Sequence, residues 1–218
     1  MNPFTAAIWQ TTSLPYDKEA NLARVLRAME AAHARGASLL VLPEMFLTGY
    51  LIRDRLEELA EPAPDGPSLL VLREKARALS LGLVVGLPVA HPGGKPYNAL
   101  VMIDTSFGRM GLLVCYDGEF PETARSLALD GAKLICMGAA NMTPYEDYHF
   151  VYMHTRAMEN RIYTLYCNYV GTEKRFHYCG QSGAFHPTGK ILAQADPRSE
   201  ALLLADIDLA DTTAQDDF

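Results

Sequence analysis

Apolar and polar positions along this chain fall into blocks whose period switches repeatedly between that of a strand and that of a helix. The apolar stretch 4–9 is short enough for a buried strand. Across 18–35, Leu22, Val25, Leu26 and Met29 recur at i, i+3, i+4 and i+7, so they share one helical face, and Gly36 supplies a left-handed stop. A continuous apolar run over 38–42 ends in Pro43-Glu44, the pattern of a strand buried on both faces. The alternation then predicts a helix over 68–80, a strand over 83–87, a Pro/Gly turn over 91–96 and a strand over 99–103. Next come a strand over 110–115, a helix from Pro121 to Leu129, a strand over 133–137, a long helix over 145–161 and a strand over 163–170. Residues 181–208 read as strands with turns at Pro187-Thr188-Gly189 and Asp196-Pro197. The class is α/β, one or two sheets covered by helices, with no internal repeat or linker.

Length and composition fit a single domain over 1–218: 49% hydrophobic residues among 218 are ample for one sizeable core. The net charge of -7, without a clustered Lys/Arg stripe, argues against a nucleic-acid partner. No apolar run approaches the roughly 20 residues that span a bilayer, and the start MNPFTAAIWQ lacks the features of a secretory leader, so no membrane partner and a cytoplasmic location are expected. Cys115, Cys136, Cys167 and Cys179 form no CxxC pair, which suggests neither a metal site nor a disulfide framework.

Three polar residues stand directly after apolar strands: Glu44, Cys115 and Asn141. Ligands of open α/β sheets bind at the carboxyl ends of the strands, so these side chains can converge on one pocket. The sharp polar turn after Cys115 can hold its thiol proud of the sheet with a backbone N–H nearby, the arrangement of a nucleophile with an oxyanion donor. A small buried hydrophobe is the commoner fate of a free cysteine, and that reading suits Cys136 and Cys167 better. An ionised Glu44 at the end of a buried strand requires a partner or a function; a structural salt bridge is the alternative to a general base. His149, His154 and His177 could also serve a cysteine, although packed or surface histidines are the plainer reading.

The stretches 40–50 (LVLPEMFLTGY), 108–122 (GRMGLLVCYDGEFPE) and 156–171 (RAMENRIYTLYCNYVG) resemble, in order and spacing, three signature blocks of the nitrilase superfamily, the carbon-nitrogen hydrolases. The resemblance implies a four-layer αββα sandwich, commonly paired through its sheets into an eight-layer dimer or higher homo-oligomer, and no metal or organic cofactor. It implies Glu44 as base, Cys115 as nucleophile and the backbone N–H of Tyr116 as oxyanion donor, acting on a small-molecule amide through a thioester. Glu119 and Asn141 are further candidates for the substrate pocket, with a turn-forming role as the alternative for Asn141. Arg156 with Glu159 and Glu122 near its helix start read as structural. The CYDGEFPE run is closer to amidase branches than to true nitrilases. N-carbamoyl hydrolysis and a catalytically silent scaffold are the competing functions.

The chain departs from the family at one place. The third catalytic residue of the family is a lysine in a YRK-like segment before the nucleophile strand, and residues 104–107 hold no lysine. Lys95 and Lys133 do not fit by motif, so the role is unassigned. Either a lysine-bearing segment belongs between Met102 and Phe107, with a tail beyond Phe218, or the loss is genuine and removes cationic oxyanion support. The first is favoured because active-site lids are commonly mobile.

Overall fold

Strands form where apolar side chains alternate between two buried faces, and here they form two facing sheets. The computed structural model describes residues 3–211. Its first sheet contains β1 (Phe4–Gln10), β2 (Ala37–Val41), β3 (Gly82–Val89), β4 (Tyr97–Ile103) and β12 (Ala201–Ile207), in the order β12-β1-β2-β3-β4. The second contains β5 (Met110–Val114), β6 (Leu134–Ala139), β7 (Tyr163–Asn168), β10 (Gly183–Phe185) and β11 (Ile191–Gln194), in the order β11-β10-β7-β6-β5. Parallel pairing joins β1 to β2 to β3, and β5 to β6 to β7.

Three apolar clusters define the layers. Ala6, Ile8, Leu39 and Val41 of the first sheet meet Leu134, Cys136, Leu165 and Cys167 of the second between the sheets. The alternate residues Ala7, Leu40 and Leu83 turn outward under helices α1 (Lys18–Ala34) and α3 (Pro67–Leu79). On the opposite side Ile135, Met137 and Tyr166 pack under α4 (Pro121–Leu129) and α5 (Tyr148–Asn160), which contribute Ala124, Met153 and Ala157. This is the αββα order that the family resemblance implies; periodicity alone left the number of sheets open.

Local chemistry shifts several boundaries. The long helix begins at Tyr148 rather than 145, because residues 145–147 form a turn after Pro144. The strand expected over 163–170 ends at Asn168, and the chain instead makes a separate hairpin of β8 (Val170–Glu173) and β9 (Phe176–Cys179). A short helix α2 (Leu56–Leu59) also escapes sequence patterning. Cys115 lies just outside β5, opening a single 3-10 turn, Cys115–Glu119. Residues 104–109 link the two sheets, and Phe107 stacks on Phe4 with ring centroids 4.0 Å apart. Among the described residues no helix is long and apolar enough to cross a membrane.

Candidate active site

Glu44 leaves the carboxyl end of β2 and is threaded between the sheets. Two glycines make the space. A Cβ on Gly86 of β3 would stand 2.3 Å from the Met45 nitrogen, and one on Gly138 of β6 would stand 3.0 Å from the Leu42 carbonyl oxygen. No larger residue fits either place without moving the Glu44 backbone. The Leu47 N–H donates to the Gly86 carbonyl over 3.1 Å, tying the segment to β3. Glu44 is consequently 2% exposed. Its Oε1 accepts a hydrogen bond from Asn98 Nδ2, whereas Oε2 is buried without an aligned partner.

Burial pushes the Glu44 carboxyl above its usual range. Donors from Asn98, the Cys115 thiol and the Ala140 backbone oppose that rise, and the charge of Asp117 adds to it. Burial is also the main cause holding the Cys115 thiol well above its ordinary pKa, and the Glu44 carboxylate raises it further. The backbone N–H groups of Ala140 and Tyr116 pull it down. The thiol and carboxylate are therefore close neighbours in the interior, each perturbing the other. Burial and the neighbouring carboxylate both favour the neutral form of the thiol.

The local backbone explains how the thiol is presented. Cys115 has φ 46°, in the left-handed region, where a non-glycine residue costs about 1–2 kcal/mol. The turn around it over-determines that conformation. Asp117 Oδ2 accepts from the Val114 N–H over 3.0 Å, and its carbonyl accepts from the Thr123 hydroxyl over 2.7 Å before Pro121 opens α4. A polar turn between an apolar strand and a proline-started helix was the sequence signal for this geometry.

The other candidates face elsewhere. Asn141 is buried at the end of β6, but its amide nitrogen donates to the Tyr145 carbonyl over 2.8 Å and its own N–H donates to Asn168 Oδ1 over 2.8 Å. Those bonds shape the turn after β6. Glu119 lies at the end of the nucleophile turn, where its Oε1 is 3.3 Å from His149 Nε2 on α5 and its carbonyl accepts from Arg156 Nη2 over 2.9 Å. Arg156 also pairs with Glu159 at 3.0 Å, the structural pairing expected from the sequence. A cavity of about 550 Å³ opens beside Asn98, Met45 and Tyr50, and none of Glu44, Cys115, Glu119 and Asn141 lines it. Tyr50 lies near both Glu44 and Cys115, and burial first, then the charges those two groups carry when ionised, raise its phenol. Sequence reasoning missed Asn98 and Tyr50. Asn98 carried a weak signal as the polar position in the otherwise apolar β4, while the role of Tyr50 depends on loop shape.

A four-layer sandwich with a thiol and a carboxylate meeting at the carboxyl ends of its strands defines a hydrolase of the nitrilase type. The chain belongs to the carbon-nitrogen hydrolase family, whose pattern matches residues 5–106 and 98–216, and it falls with the amidase-like members. It is 38% identical to a hydrolase of the pqqF 5′ region from Pseudomonas protegens, over 93% of this chain and 82% of that protein. It is 32% identical to an (R)-stereoselective amidase of Pseudomonas sp., over 88% and 81% respectively. Among solved structures, Saccharomyces cerevisiae Nit3 superposes with a TM-score of 0.85 at 26% identity, covering 94% of this chain and 90% of that one. A mutant amidase from Nesterenkonia sp. AN1, to whose active-site cysteine acrylamide has added, gives 0.84 at 26% identity with 97% of both chains covered. The family match divides at β4, and the P. protegens alignment runs over 237 residues against the 218 of this chain, so that relative has segments absent here.

Proposed function

We propose that this amidase-like enzyme hydrolyses a small carboxamide with Cys115 as nucleophile and Glu44 as general base. The carrying observation is the pairing of a buried thiol with a buried carboxylate, distant in sequence, that shift each other's protonation. In the reaction, Oε2 of Glu44 takes the thiol proton as sulfur attacks the amide carbon, and the Tyr116 N–H donates to the developing oxyanion. The proton passes to the leaving nitrogen, the C–N bond breaks, and ammonia or an amine departs. Glu44 then deprotonates water, which attacks the thioester, and the acid leaves as the thiol is reprotonated. Asn98 positions Glu44 through Oε1.

The family match divides at residues 98–106, so family positions between β4 and the nucleophile strand are missing from this sequence, and a lysine-bearing segment between Met102 and Phe107 would have to be additional to its 218 residues. A native mass above 24.0 kDa would establish it; a mass equal to that value would leave the oxyanion to neutral donors. The cytoplasmic reading is supported by four free cysteines. Self-association is supported by exposed apolar residues on two elements that pack together, Tyr148 and Val151 on α5 and Tyr116 on the nucleophile turn.

The test is ammonia release from aliphatic amides and N-carbamoyl amines by the wild type and by Cys115→Ala. Release from the amides that is abolished in the variant is expected. Release that survives the substitution would reject the nucleophile, and release confined to N-carbamoyl substrates would reject the carboxamide.

A further inference from the structure

The cavity beside Asn98 is apolar along its walls and cationic at its rim. Its inner part is formed by Met45 and Asn98, the chain neighbour and the hydrogen-bond partner of Glu44. Ile52, Leu56 and Phe176 supply apolar wall, and Arg53 and Arg175 reach the same cavity from separate elements. Arg53 opens the 3-10 turn Arg53–Arg55, and Arg175 sits at the tip of the β8–β9 hairpin. We infer that the amide received here carries a second, anionic group at its far end, a carboxylate held by Arg53 and Arg175.

The surrounding charges favour that assignment. Among the described residues neither guanidinium has a carboxylate at ion-pair distance. The nearby acids are engaged elsewhere. Asp54 accepts from the Tyr16 hydroxyl over 2.7 Å, and Glu173 accepts from the Tyr178 hydroxyl over 2.9 Å and the Leu51 N–H over 3.3 Å. Glu58 pairs with Arg55, while Glu57 faces an adjoining cavity that Lys95 also lines. Lys174 joins Arg53 and Arg175 around the cavity on the other side. The charged residues lining the cavity beside Asn98 are Arg53 and Arg175, in a chain whose net charge is -7. A guanidinium binds a carboxylate through two parallel hydrogen bonds, which fixes orientation as well as charge. With the anion at the rim and methylenes along the apolar wall, the carboxamide is directed to the Asn98 end, where Glu44 stands.

This inference rests on the amide-hydrolase reading, and its test separates the two. Monoamides of four- to six-carbon dicarboxylic acids (succinamate, glutaramate, adipamate) are compared with their neutral diamides. Ammonia release should show kcat/KM about tenfold or more in favour of the best anionic substrate, an advantage that shrinks with added salt. In the Arg53→Gln/Arg175→Gln double variant the ratio of anionic to neutral substrate should fall toward one. In parallel, calorimetry on Cys115→Ala protein measures binding of each pair without turnover. Tighter binding of the monoamide than of the diamide, lost in the triple variant, sustains the subsite even if no amide is hydrolysed and the amidase reading fails. Equal binding and equal kcat/KM for the two, or a preference that the double variant retains, overturns it.

Discussion

The Glu44 carboxylate, proposed as the general base, illustrates how a buried ionisable group is held at the expense of stability. Its pKa lies above the ordinary value of 4.5 because burial disfavours the charge. The folded form therefore binds the proton more tightly than the unfolded form, and the folding penalty is fully present above the raised pKa. It fades as pH falls toward the ordinary carboxylate value. Glu44→Gln should thus melt at higher temperature than the wild type at pH 7, by a margin that narrows on acidification, while kcat falls by about 10²- to 10⁴-fold. Scanning calorimetry against pH and steady-state assay check both; a variant no more stable at pH 7 contradicts the burial argument. The acid limb of wild-type kcat/KM should lie above 4.5 for the same reason. Glu44 and Cys115 were legible in the sequence because each is a polar residue ending an apolar strand. Asn98 was not, since its importance arises from a hydrogen bond across 54 positions that no local pattern records.

Elements place these residues through their junctions. Glu61 joins the loop before α3 to the edge of β3: its N–H donates to the Pro88 carbonyl over 3.1 Å, and its carbonyl accepts from the Ala90 N–H over 2.8 Å. Its carboxylate accepts from the Ser68 N–H over 2.8 Å and meets Lys18 Nζ at 2.7 Å. Burial alone would raise this carboxyl, but the bonds from Lys18 and Ser68 prevail and its pKa is lowered. Its contribution to stability is accordingly present above the ordinary carboxylate pKa and is lost as pH falls through the lowered value. Glu61→Ala should destabilise the fold by about 2–3 kcal/mol at pH 7 in denaturant titration, and by less in acid. A loss below about 0.5 kcal/mol would show the junction to be dispensable. Helices and strands with a buried stripe were readable to within a few residues. The β8–β9 hairpin was not: most of residues 171–177 are polar and partly or fully exposed, so no core face marks the register.

At the scale of the molecule, periodicity established helices over sheet, while the count of two sheets came from the resemblance of three ordered blocks. The layers follow from strands such as β1 and β6, whose alternate residues are apolar on both sides. An outer helical layer is left with a surface that a lone copy does not cover. Val151 and Tyr148 on α5 are 52% and 48% exposed. If two copies pair over this face, wild-type protein should sediment as a dimer or larger, and Val151→Asp should shift it toward monomer. A wild type that remains monomeric at micromolar concentration would remove the pairing. Chemistry is tested more directly by catching the covalent intermediate. Rapid acid quench during turnover of a small aliphatic amide, followed by peptide mass mapping, should place the acyl group on the peptide containing Cys115 and on none containing Cys136, Cys167 or Cys179. Turnover with that peptide unmodified, or an acyl group carried elsewhere, would contradict the account.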